Sequence, residues 1–402
     1  MDADGVVAFT RALVRTPSVN DPAHGRSEQA AATLVADKMR EFGWHPVLSG
    51  AALGRPNVVA TIVGGGGAGP TLLFAGHTDV VTEGAAAEWS VDPFGGEIRD
   101  GRLYGRGAAD MKSGVAAMIY AVRALELAGP FPGTIKIAAL ADEEGMMIGV
   151  HDFVESGQAN GVDAAIVGEP EGGEICAVSK GAIRLRVDFH GRMAHGAMPQ
   201  HGRNPIGLLG RFLGALADLE RDLQKRHGAH EHLGLPYVTP TVVSAGHLEQ
   251  INVIPALATA AVDIRTVPGI DHPELVGEVT ALAGEWGEVT VLVDRPPVDT
   301  PTDHPVIAAL AAAHTAVTGE AARYGGVPGT TDGTILTARG GVPSVVYGPG
   351  GKWIAHQADE YVEVAEIVTY TQVYAEAARR YLTSGAPDPT GGAATDPTGG
   401  SR

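Results

Sequence analysis

Residues 71–81, TLLFAGHTDVV, constrain this chain more than any other stretch. Leu72, Leu73 and Phe74 form a short apolar run closed by Ala75-Gly76, the pattern of a buried strand. His77 and Asp79 follow at its carboxyl end, two residues apart and so on one side of an extended backbone. Ligands in open α/β sheets bind at such ends. A histidine backed by a carboxylate can hold a metal; the same pair can equally form a polar turn that caps the strand.

Apolar residues at helical spacing cover 4–18 and 27–43, and a β-branched stretch at 57–63 precedes the glycine turn 64–67. A helix is predicted at 113–127, and strands at 134–140 and 164–167. Strands alternating with helices imply an α/β fold, a mostly parallel sheet with helices on both faces. Each acidic cluster falls just past a strand or in a glycine-rich loop: Asp110 in 101–114, Glu143-Glu144 after 134–140, Glu169 after 164–167.

From Lys180 the order becomes β-α-β-β-α-β: strands 182–189, 237–244, 258–265 and 289–293 with helices 204–223 and 272–285. That is the split motif of ferredoxin-like domains. Helix 305–318, strand 344–347 and helix 363–382 return to the α/β pattern. The expected organisation is a catalytic metal-binding domain of residues 1–179 and 298–384, interrupted by an α+β lid or dimerisation domain of residues 180–297. Residues 385–402 repeat DPTGG and are expected to be a disordered tail.

A formal net charge of -18 argues against nucleic acid and anionic membranes as partners, since both are polyanions. No apolar run approaches the ~20 residues that span a bilayer, and the N-terminus lacks a signal-peptide pattern. The single cysteine, Cys176, fits a reducing compartment. The expectation is a soluble, cytoplasmic protein.

A two-metal hydrolytic site needs imidazole and carboxylate ligands, a bridging carboxylate and an unligated carboxylate as base. His77, Asp110, Glu143, Glu144, Glu169 and His356 supply these types at strand ends and glycine-flanked loops. Each alone has an ordinary structural reading; Asp110, for example, could cap the helix that begins at Ser113.

FAGHTDVV at 74–81, LYGRGAADMKSG at 103–114, ADEEG at 141–145, GEP at 168–170 and GPG…AHQADEYV at 348–362 resemble the co-catalytic zinc aminoacylase/carboxypeptidase family. It includes acetylornithine deacetylase, succinyl-diaminopimelate desuccinylase and glutamate carboxypeptidase. The resemblance spans about residues 5–380. It implies two Zn²⁺ per subunit, with Co²⁺ or Mn²⁺ as substitutes. His77, Asp110 and Glu169 would hold one ion and Asp110, Glu144 and His356 the other, Asp110 bridging. Asp79 would support His77, Glu143 would be the general base, and His195 would reach across a homodimer interface to the oxyanion. Asn252, Arg265, Thr331 and Gly350 resemble positions that meet the substrate or line its pocket.

One departure concerns specificity. Desuccinylase-like members of the family usually place an arginine after Thr-Asp-(small) to grip a substrate carboxylate; here Thr334 stands there, and a neutral side chain gives no bidentate grip. The implied activity is a di-zinc hydrolase that cleaves the amide of a small N-acylated amino acid or amine. A carboxypeptidase or dipeptidase is the nearest alternative, and a catalytically silent metal-binding relative is the third reading.

Overall fold

The computed structural model describes residues 1–21 and 24–384, so the expected tail at 385–402 lies outside the described residues. Strand Thr71–His77 is buried along nearly its whole length, as a central parallel strand covered on both faces must be. Its side chains alternate between two cores. Leu72 and Phe74 join one with the helices Ala3–Val14, Gln29–Glu41, Ser113–Ala128, Pro305–Thr318 and Val364–Ser384. Leu73 and Ala75 join the other with Val150 and Phe153 of Ile148–Glu155 and Ile335 and Leu336 of Asp332–Ala338.

The central sheet has nine strands. Its spatial order is Val47–Ala52, Arg55–Val63, Thr134–Leu140, Thr71–His77, Ala164–Val167, Ser344–Val346, Glu174–Ser179 and Val298–Asp299, with Arg323–Val327 also paired to Glu174–Ser179. Thr71–His77 runs parallel to both Thr134–Leu140 and Ala164–Val167, and Ser344–Val346 runs parallel to Ala164–Val167. The sheet is thus parallel through its centre and antiparallel toward both ends of this order, while Arg323–Val327 runs parallel to Glu174–Ser179. This parallelism puts the carboxyl ends of four strands on one rim, and His77, the 141–145 loop, Glu169 and Tyr347 start from it.

A second, antiparallel sheet is built from Tyr237–Ala245, Leu257–Thr266, Gly181–His190 and Gly287–Arg295 in that order. Its core packs Leu185, Val187 and Phe189 against Leu209, Phe212 and Leu216 of the helix Pro205–His227 and against Leu275 and Val279 of His272–Ala283. This is the βαββαβ order read from the sequence. A small ribbon, Glu97–Arg99, Arg102–Tyr104 and Tyr361–Glu363, brings the segment leading to Asp110 beside the one that follows His356. No helix among the described residues is long and apolar enough to cross a membrane.

Candidate metal centre and active site

Asp110 stands between two histidines. Its Oδ1 lies 3.2 Å from His77 Nε2 and its Oδ2 lies 3.2 Å from His356 Nε2. Each histidine faces a further glutamate: Glu169 Oε1 at 3.5 Å from His77 Nε2, and Glu144 Oε1 at 2.9 Å from His356 Nε2. Donor atoms of His77, Asp110 and Glu144 lie within 4.8 Å of one another, as do those of His77, Glu143 and Glu169. Five of these groups (all but His77) line one cleft of about 280 Å³, which Thr330 and Thr331 also line.

The local chain explains the arrangement. His77 closes its strand, and its Nδ1 lies 3.0 Å from the Asp79 carbonyl oxygen and 3.4 Å from Asp79 Oδ1. The Asp79 carboxylate also accepts the backbone N–H groups of Glu143 and Glu144, each at 3.1 Å, so it ties the glutamate pair to the histidine's strand. Asp142, just before the pair, is left-handed at φ 62, a strained conformation for a non-glycine residue. Its Oδ2 accepts the Met146 N–H, its own N–H goes to Glu28 Oε1, and Arg55 Nη2 reaches both Asp142 Oδ1 and Glu28 Oε1. From that turn Glu144 faces His356 while Glu143 lies with Glu169 and His77.

Glu360 performs the same service for Asp110. Fully buried, it accepts the N–H groups of Gly107, Ala109 and Asp110 and pairs with Arg106 Nη1 at 2.6 Å. The sequence reading overlooked Glu360, Arg55 and Glu28. The first sits inside the recognised ADEYV segment, and the other two are acid and base with partners far along the chain.

Burial, reinforced by Glu169, pushes the Glu143 carboxyl well above its ordinary range. Burial and then Asp110 do the same to Glu169. Burial opposes charge on His77, but Glu169, Asp110 and Asp79 outweigh it and raise its pKa well above the usual value. Hydrogen bonds to Asp110 and Glu144 raise His356 to about 10. Burial works against an ionised Asp110, yet His356 and His77 hold its carboxyl below the usual range. Glu169 Oε1 is buried with no hydrogen-bond partner. Four crowded carboxylates with two imidazoles, one acceptor oxygen left over, are the donor set that a pair of divalent cations neutralises. The residues fit such a pair.

Three of the remaining predicted residues lie elsewhere. His195 is exposed on the two-residue strand Ala194–His195, paired with Val253–Ile254, and its Nδ1 accepts the Ala197 N–H. The same ribbon carries Asn252, exposed, whose carbonyl accepts the Gly196 N–H. Arg265 pairs with Asp263 at 2.6 Å on the second sheet. None of these three lines the cleft. Thr331 does, while its hydroxyl caps the Asp332–Ala338 helix. The Thr334 hydroxyl accepts the Thr331 N–H, so the residue in the arginine's place is spent on that cap. Gly350, at φ 95, comes so close to Ala109 that a Cβ there would sit 2.9 Å from the Ala109 Cβ, so the glycine lets the two segments pack next to Asp110.

The sequence model of Peptidase family M20/M25/M40 matches residues 73–380. The chain belongs to this family. Across the family, similarity to the succinyl-diaminopimelate desuccinylase of Methylorubrum populi extends over 96% of this chain and 100% of that protein at 33% identity. Among solved members, the M20 metallo-carboxypeptidase Sso-CP2 from Sulfolobus solfataricus superposes with a TM-score of 0.79 at 21% identity, over 95% of this chain and 100% of that one. The Bacillus subtilis YXEP protein, a dinuclear metal-binding M20 peptidase, gives 0.72 at 18% identity over 95% and 98%. The fold is therefore the M20 fold, and the protein is a hydrolase of amide C–N bonds.

Proposed function

We propose that the protein is a di-zinc deacylase that hydrolyses the amide of a small N-acylated amino acid or amine. The observation that carries this reading is Asp110 set between His77 and His356, with Glu143 buried beside them and facing no basic side chain within ion-pair distance among the described residues. His77, Asp110 and Glu169 would hold one ion and Asp110, Glu144 and His356 the other, with Co²⁺ or Mn²⁺ as substitutes. Bound there, the ions would supply Lewis acidity and a water acidic enough to react near neutral pH.

The chain's own groups do the rest. Glu143 takes a proton from the attacking water, whose oxygen bonds to the amide carbon. The partner's His195 donates a hydrogen bond to the oxyanion that develops. The C–N bond then breaks as Glu143 hands its proton to the leaving nitrogen, the new carboxyl group passes its remaining proton to the amine, and a carboxylate and an ammonium ion depart. Asn252 and Arg265 join His195 as residues that meet the substrate from the inserted unit, 180–297, while 1–179 with 298–384 forms the catalytic unit.

A homodimer through that insert is supported by its edge strand, Tyr237–Ala245, which among the described residues has one unpaired side and exposes Val242 and Val243. Similarity to a desuccinylase along the whole chain favours N-acyl amino acids over dipeptides. The test is a panel of N-succinyl, N-acetyl and N-formyl amino acids against dipeptides, with zinc-loaded protein. Release of amine from the acylated set, abolished by a chelator, is expected; turnover of dipeptides alone would move the assignment to an exopeptidase.

A further inference from the structure

Arg295 ends the strand Gly287–Arg295, just before Pro296-Pro297 carries the chain back to the central sheet. It is buried, at 7% exposure, and no carboxylate lies within 4.0 Å of its guanidinium among the described residues. Burying a cation without a partnering acid costs several kcal/mol, and an apolar side chain of similar volume would avoid that cost. What the guanidinium does instead is bridge. Nη2 donates to the Gly145 carbonyl at 3.0 Å and Nη1 to Thr330 Oγ1 at 3.2 Å.

One acceptor, Thr330, lines the candidate cleft, and the other, Gly145, directly follows Glu143-Glu144, which line it too. Arg295 reaches both from a third element, 150 residues from the first and 35 from the second. Burial disfavours the charge on Arg295, and Glu143 is the carboxylate that supports it most. The brace therefore touches the loop of the proposed base and feels the base itself.

We propose that Arg295 is a positioning residue for Glu143, holding the 143–145 loop at a fixed distance from the Thr330 wall. This rests on the assignment of Glu143 as the base. A planar fork with donors in two directions can make both bonds at once; a lysine reaches one acceptor well, and a methionine neither. Small displacements of a catalytic group are expensive, about 100-fold in rate for ~1 Å.

The experiment compares full-length, zinc-loaded wild type with Arg295→Lys and Arg295→Met, reading kinetics, zinc content, melting and amide hydrogen exchange. The expected result is kcat about 10- to 100-fold lower for Arg295→Met, with KM changed by less than about threefold. Zinc content should stay at the wild-type level, the lysine variant should be intermediate, and added guanidinium should restore part of the methionine variant's rate. Exchange should speed up in peptides covering 143–148 and 328–333 and nowhere else. Unchanged exchange overturns the proposal, as does a rise in KM alone, which would make Arg295 a substrate contact. Loss of zinc and of melting temperature in step with activity would reduce it to a structural residue. Exchange needs no substrate, so a wild type inert on every acylated compound would sink the deacylase reading while the brace is still decided.

Discussion

Glu360 Oε1 accepts the backbone N–H of Asp110 at 3.0 Å, although 250 residues separate the two. The bond fixes the carboxylate that stands between His77 and His356, while the other Glu360 oxygen holds buried Arg106. Glu360→Ala strands that guanidinium and should cost about 3–5 kcal/mol, visible as a lower Tm. Glu360→Gln keeps the shape but replaces an acceptor oxygen and a charge, so zinc affinity should fall about 10- to 100-fold with a smaller loss of stability. Competition titration with a zinc indicator checks this, and wild-type affinity in the Gln variant would count against the link.

The proposed mechanism makes Glu143 a base and not a ligand. Glu143→Gln should retain the wild-type zinc content and lose about 10²–10⁴-fold in kcat, the range for removing a general acid–base. Elemental analysis beside steady-state kinetics separates the two roles. A variant short of one metal equivalent would make Glu143 a ligand.

Much of this was legible because the decisive segments are locally unambiguous. The strands Thr134–Leu140 and Ala164–Val167 fall on the predicted residues, since the first alternates before an apolar end, the second is a continuous apolar run, and an acidic or glycine loop cuts off each. The helix Pro305–Thr318 is likewise bounded by proline at its start and glycine just past its end. Other elements gave weaker signals. Arg323–Val327 carries two adjacent glycines that dilute a strand pattern, and the three strands of the ribbon are three residues each, below any readable period. The helix at 205–227 outruns its predicted end at 223, because its last turn is polar and is held instead by Arg226 against Asp222 and Glu278. Supports such as Glu360, Arg55 and Arg295 escaped notice because each acts on a residue distant in sequence, and a lone charge in a strand or loop does not announce its partner.

The partner's His195 can be tested by complementation. His195→Ala and Glu143→Ala proteins, each nearly inactive, should regain part of the wild-type rate when mixed under conditions of subunit exchange. Each hybrid dimer then has one site with both groups intact. No recovery, with exchange proven by mass spectrometry of labelled subunits, would remove His195 from the neighbouring site.

The central claim is that Asp110 joins two cations in one cleft. Zinc stoichiometry by elemental analysis, on wild type and Asp110→Ala after gel filtration, addresses it directly. The account predicts two equivalents per chain in the wild type and loss of both in the variant, because each ion shares that carboxylate. A single equivalent in the wild type, or two in the variant, would contradict it.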